Sequence, residues 1–130
     1  QPFADLKADV DLDIEDGEFE LMFTFTLGAG SNGIDPAAET VSLQVSGGKA
    51  AFSVTIPAGS FKKDKSGQFM FQGTINKVRM AASIRPLRGN TFQFEIEGER
   101  VDLKRVANPV TVDLAIGDDS GSRSVRAKIE

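Results

Sequence analysis

Cysteine, histidine, tryptophan and tyrosine are all absent from this chain of 130 residues. Without Cys and His there is no thiol nucleophile, disulfide, iron–sulfur ligand or imidazole base, and none of the Cys/His sites that dominate structural zinc. Without Tyr and Trp the usual sugar-stacking platforms are missing. Paired carboxylates for glycoside hydrolysis are plentiful, but that reading loses its binding surface, and a carbohydrate-binding reading weakens with it. The lack of Cys does not fix a redox compartment, because a domain with an adequate core needs no disulfide in either. Conventional side-chain and metal catalysis thus lack most of their parts, and a structural or binding protein is expected rather than an enzyme.

Long apolar runs are also absent. No stretch approaches the ~20 apolar residues of a membrane helix, and residues 1–20 lack the basic start and apolar middle of a signal peptide, so a soluble chain without a membrane span is expected. A start at Gln1 without Met points to a processed chain or a piece of a longer one. The net charge of −4 argues against nucleic acid as a partner, since phosphate neutralisation needs a basic surface. That charge is unevenly spread. Residues 1–40 carry ten carboxylates and one Lys, and residues 41–130 carry nine carboxylates and fourteen Lys or Arg.

What is present is alternation. Leu6, Ala8, Val10, Leu12 and Ile14 interleave with Lys7, Asp9, Asp11, Asp13 and Glu15, and Phe19, Leu21, Phe23, Phe25 and Leu27 alternate again. Period-2 patterning of this kind is the mark of a half-buried strand. Asp16-Gly17 between the two runs is a strong two-residue hairpin signal and sets Ile14 opposite Phe19, Leu12 opposite Leu21 and Asp13 opposite Glu20. Further strands are expected at 40–46, 49–56, 68–75, 78–85, 91–97, 110–116 and 123–129. Turn clusters lie at Gly47-Gly48, Asp64 to Gly67, Asn76-Lys77, Pro86 to Asn90 and Gly117 to Gly121.

About nine short strands at this spacing predict an all-β fold, an antiparallel β-sandwich with a closed barrel as the alternative, in one domain spanning 1–130. At this size roughly two thirds of the unfolded surface can be buried. Three Phe-x-Phe pairs, Phe23/Phe25, Phe69/Phe71 and Phe92/Phe94, put six of the ten Phe on inward faces, as core. The longer connections at 28–39, 57–67 and 98–109 are expected to cross between sheets or to form exposed recognition loops.

The acidic first hairpin needs an electrostatic answer, because like charges facing each other across strands destabilise a sheet. Four answers stay open. Solvent can screen the charges, or a hard cation such as Ca²⁺ can bind the hairpin. Arg126 and Lys128 on the outward face of the last strand can lie beside Asp9, Asp11 and Asp13 if the first and last strands pair. A basic face of another copy, through residues such as Lys62, Lys63, Lys65 or Arg79, can meet them in head-to-tail assembly.

Two loops carry calcium-type oxygen ligands, Asn32, Asp35 and Glu39 in one and Asp118, Asp119 and Ser120 in the other. Asn32, Asp35, Asp118 and Asp119 are the candidate metal ligands, although neither loop has a defined metal-loop spacing and the same residues suit ordinary turns. No cofactor other than Ca²⁺ is indicated. Gly28-Ala29-Gly30-Ser31-Asn32-Gly33 looks superficially like a phosphate loop, but it lacks the Lys and no helix follows.

Four stretches carry a resemblance: Leu27-Gly28-Ala29-Gly30-Ser31-Asn32-Gly33-Ile34-Asp35-Pro36, Thr55-Ile56-Pro57-Ala58-Gly59-Ser60-Phe61, Asn108-Pro109-Val110-Thr111-Val112, and Ile116-Gly117-Asp118-Asp119-Ser120-Gly121. The chain resembles a β-rich domain of uncharacterised secreted or cell-surface proteins of bacteria, over about four fifths of its length. The resemblance implies an extracellular or cell-surface location and a structural or adhesive role, with other copies or neighbouring surface proteins as partners. It attaches no activity and so assigns no functional residue. A Ca²⁺-assisted ligand-binding domain is the alternative.

Overall fold

The computed structural model describes residues 1–130 and contains no helix. In chain order the strands are β1 (Asp5–Asp13), β2 (Glu18–Thr26), β3 (Val41–Gly47), β4 (Ala50–Ile56), β5 (Lys62–Lys63), β6 (Phe69–Ile75), β7 (Val78–Pro86), β8 (Thr91–Glu99), β9 (Val110–Ile116), β10 (Asp119–Val125) and β11 (Lys128–Ile129). They form a seven-stranded sheet, β11-β1-β2-β8-β7-β6-β5, and a four-stranded sheet, β10-β9-β3-β4. Both sheets are open, which gives a sandwich and removes the barrel alternative.

Alternation decides the packing. In the longer strands other than β10 the apolar half faces between the sheets, and 28 buried hydrophobic side chains merge there into one continuous core. Two of the Phe-x-Phe pairs act as cross-strand partners, while Phe69 and Phe71 face Ile84 and Ala82. Phe23 lies opposite Phe94 and Phe25 opposite Phe92, with ring centroids 5.7 and 5.6 Å apart. Phe19 reaches Phe52 of the other sheet at 5.0 Å. Each buried Phe contributes roughly 1.5–3 kcal/mol of transfer free energy. The three long connections are sheet crossings, from β2 to β3, from β4 to β5 and from β8 to β9. They also plug the core, through Phe61 on one and Leu103 and Val106 on another.

The first hairpin closes differently from the expected two-residue turn. Leu12 pairs with Phe19, Val10 with Leu21 and Asp13 with Glu18, so the loop is Ile14 to Gly17. Asp16 N–H donates to Asp13 Oδ1 (3.1 Å), while Ile14 N–H donates to Glu130 O (3.0 Å) rather than across its own hairpin. Gly17 adopts a φ of 68° and lies so close to the 100–109 connection that a Cβ on it would come within 2.6 Å of the Val101 carbonyl oxygen. The slip is two residues, which preserves the face of every side chain.

The last strand is also reorganised, because 123–129 is not one strand. Gly117-Asp118 alone makes the turn, and the polar run from Asp119 to Val125 pairs with β9 along its full length. Its inner face carries little apolar mass. At Gly121 the missing side chain leaves room for the Phe3 ring, which a Cβ would approach to 2.6 Å. The chain then leaves this sheet at Arg126-Ala127, where Asn108 clamps it. Ala127 N–H donates to Asn108 Oδ1 (2.6 Å) and Asn108 Nδ2 donates to Ala127 O (2.9 Å). Beyond the clamp β11 joins the other sheet beside β1, in parallel, the one named strand pair that departs from the antiparallel pattern.

Candidate interaction surfaces

The outer face of the seven-stranded sheet gathers the molecule's densest group of carboxylates. Registers β1–β2 and β2–β8 align Asp11, Glu20 and Glu97 in one row, Asp9, Met22 and Glu95 in the next, and Asp13 opposite Glu18 in a third. Glu99 ends β8 on the same face, opposite Arg79 of β7. Eight carboxylates therefore cover three adjacent strands. The outward half of β8, Glu95-Glu97-Glu99, was not foreseen as part of this face. Its alternation is plain in the sequence, but its adjacency to β2 joins residues some 70 positions apart, and no local pattern reports that.

Cations answer this face only at its rims. Arg79 Nε lies 3.9 Å from Glu99 Oε1, with both side chains well exposed. Lys128 is register partner of Asp11, as pairing of the first and last strands requires, but its Nζ lies 3.2 Å from Glu130 Oε1. Arg126 makes no ion pair, and no ion pair reaches the central row. Like charges directly opposite cost a few tenths of a kcal/mol to about 1 kcal/mol per pair.

Along the same sheet the sign then changes. β7 places Arg79 and Arg85 outward, and β5 at the far edge is Lys62-Lys63, with Lys65 in the loop that follows. That loop is organised by Asp64, whose Oδ1 accepts from Ser66 Oγ (2.6 Å), Ser66 N–H (2.8 Å) and Gln68 N–H (3.0 Å). The Ser66 hydroxyl, followed by the backbone N–H groups, holds the Asp64 carboxyl below its ordinary value. Lys62-Lys63-Asp64-Lys65 is thus a structured hairpin tip at the basic end of a sheet whose other end is acidic.

The outer face of the four-stranded sheet is nearly uncharged. Its rows read Thr55, Ser42, Ala115 and Ser120; then Ser53, Gln44, Asp113 and Ser122; then Ala51, Ser46, Thr111 and Ser124. Thr111 Oγ1 and Ser124 Oγ lie 3.2 Å apart within the last row. Asp113 is the only charge on this face.

The candidate calcium ligands are dispersed. Asn32, Asp35 and Asp118 are exposed, while Asp119 begins β10 with its side chain fully buried. Neither Asp119 carboxylate oxygen has a hydrogen-bond partner. Asp35 N–H donates to Glu39 Oε1 within its own loop. The carboxylates that do converge are Asp13, Asp16 and Glu18 at the first hairpin, with one oxygen of each within 4.8 Å of the others. No helix is long and apolar enough to cross a membrane. No family model, curated protein or solved structure matches the chain.

Proposed function

We propose that the chain is a non-enzymatic structural or adhesive module of an extracellular or cell-surface assembly, which associates with further copies of itself through its sheets. The observation that carries this reading is the charge gradient across the seven-stranded sheet. Carboxylate rows on β1, β2 and β8 stand at one side, and Arg79, Arg85, Lys62 and Lys65 stand towards the other, with Lys63 at the same edge turned over the Phe69 ring. Two such faces are complementary between copies, not within one, which favours head-to-tail contact. Chemistry finds no foothold on the same surfaces. The carboxylates lie on open strands, and the chain has no His, Cys or Tyr to work with them.

The test is sedimentation at low ionic strength of the wild type against the double variant Lys62→Glu/Lys63→Glu. The wild type is expected to associate and the folded double variant to stay smaller. A wild type that remains monomeric at every concentration would overturn the reading. Calcium-assisted binding, the second reading, is favoured only by the convergence of Asp13, Asp16 and Glu18. It requires a higher melting midpoint in Ca²⁺ than in EDTA, since a ligand of the folded state raises it, and an unchanged midpoint removes it.

A further inference from the structure

Sheet edges invite pairing with other chains, and proteins guard them with short strands, lysines or a covering segment. Three of the four outermost strands here are guarded in these ways. β5 and β11 are two residues long and carry Lys62, Lys63 and Lys128. The first part of β10 is covered by the start of the chain, with Phe3 N–H donating to Ser120 O (2.8 Å) and Ser120 N–H to Gln1 O (3.0 Å), and Arg123 stands on the remainder. β4 has none of these devices. It is seven residues long, Ala-Ala-Phe-Ser-Val-Thr-Ile, with no charge, Pro or Gly. No backbone hydrogen bond outside its ladder with β3 involves residues 50–56.

The ladder tells which groups are free. β3 and β4 are joined by the two-residue turn Gly48-Lys49, which closes on the pair Gly47–Ala50. Hydrogen-bonded pairs alternate from there. Ala50, Phe52, Val54 and Ile56 therefore bond to β3, and Ala51, Ser53 and Thr55 turn their N–H and C=O groups away from the sheet. β6, beyond its short pairing with β5, leaves a lesser opening that is interrupted by Gly73.

We infer that the β4 edge pairs with the β4 edge of a second copy, antiparallel about a two-fold axis at Ser53, joining two four-stranded sheets into one. The inference rests on the reading above that the module associates with its own copies, and it names one interface. A second copy is the occupant because the edge is self-complementary. In this register Ser53 faces Ser53, Phe52 faces Val54 and Ala51 faces Thr55 of the other copy. Phe52, Val54 and Ile56 stay on the core side, and the small and hydroxyl side chains stay on the outer side. No charge meets a like charge at the join, and the carboxylate rows lie on the outer face of the other sheet.

The experiment is sedimentation equilibrium in 1 M NaCl, where contacts between exposed charges are screened over ~3 Å. The wild type is expected to be a dimer and Ser53→Pro a monomer, because proline removes an outward donor without touching a bond to β3. Ser53→Lys, which sets two ammonium groups against each other, provides a second monomer; melting curves confirm that both variants fold. The chain has no Cys, so Ser53→Cys is expected to give a disulfide-linked dimer on oxidation, while Gln44→Cys on neighbouring β3 does not. Opposed Cα atoms in such a pair lie about 5.5 Å apart, within disulfide range. Folded Ser53→Pro and Ser53→Lys variants with the wild-type dimer mass, or equal cross-linking of the two Cys variants, would overturn the β4 interface and leave the assembly reading standing. A wild type that is monomeric both here and at low salt overturns both. A wild type that associates at low salt but is monomeric at 1 M overturns the β4 interface alone.

Discussion

The two sheets bury the same kind of inner face and present opposite outer ones. Both alternate apolar residues inward, and Phe19 and Phe52 meet between them. Outward, the seven-stranded sheet carries rows such as Asp11, Glu20 and Glu97, while the four-stranded sheet carries rows such as Thr55, Ser42, Ala115 and Ser120. The inward half of a period-2 pattern decides that a sheet forms and packs. The outward half is free of that constraint, and in this molecule it is where the two sheets diverge into a charged surface and a quiet one with an open edge.

The shared inner face sets the largest effect. Phe23→Ala removes a fully buried ring stacked on Phe94 and is expected to cost about 3–5 kcal/mol in urea denaturation. The loss should be independent of salt, because it falls on the layer the two sheets have in common. A cost below about 1 kcal/mol would mean that the inner faces are not packed as described.

A smaller effect separates the outer faces. Glu20→Gln relieves the central row between Asp11 and Glu97 and is expected to stabilise the fold by about 0.2–1 kcal/mol at low salt, with the gain shrinking as the Debye length falls from ~10 Å at 0.1 M to ~3 Å at 1 M. Gln44→Glu in the quiet sheet meets one carboxylate, Asp113, and should lose stability with the same salt dependence. Equal insensitivity of both variants to salt would erase the electrostatic contrast.

The smallest effect is at the basic end. The folded-state carboxyl of Asp64 titrates below its unfolded value, so its contribution is fully present above about pH 4 and is lost as the pH falls through the lowered value. The Asp64 carboxyl resonance followed by NMR should show a titration below the ordinary aspartate value, and Ser66→Ala should raise it towards that value. Titration of Asp64 at the ordinary aspartate value in the wild type would remove the hydrogen-bonded tip.

Alternation made the all-β fold and the Phe-x-Phe core legible in the sequence, and loop length left the three long connections as either sheet crossings or exposed recognition loops. The slip at the first hairpin was not, because Asp16-Gly17 reads as a turn locally, and only the distant Val101 and Glu130 backbones show why the loop is longer. β10 escaped because Asp119-Ser120-Gly121-Ser122 has turn composition and is held as a strand by β9. The acidic face was half legible: Asp9, Asp11 and Asp13 stood out, whereas Glu95 and Glu97 joined them only through the β2–β8 pairing. The open edge was invisible, since no sequence pattern tells which strand of a sheet comes last.

Light scattering of the wild-type protein across ionic strength tests most directly the claim that one sheet associates by charge and the other by its edge. Large assemblies are expected at low salt that shrink, near 1 M, to a dimer that persists, because backbone pairing and buried apolar groups are not screened. A monomer at both ends of the salt range would contradict it.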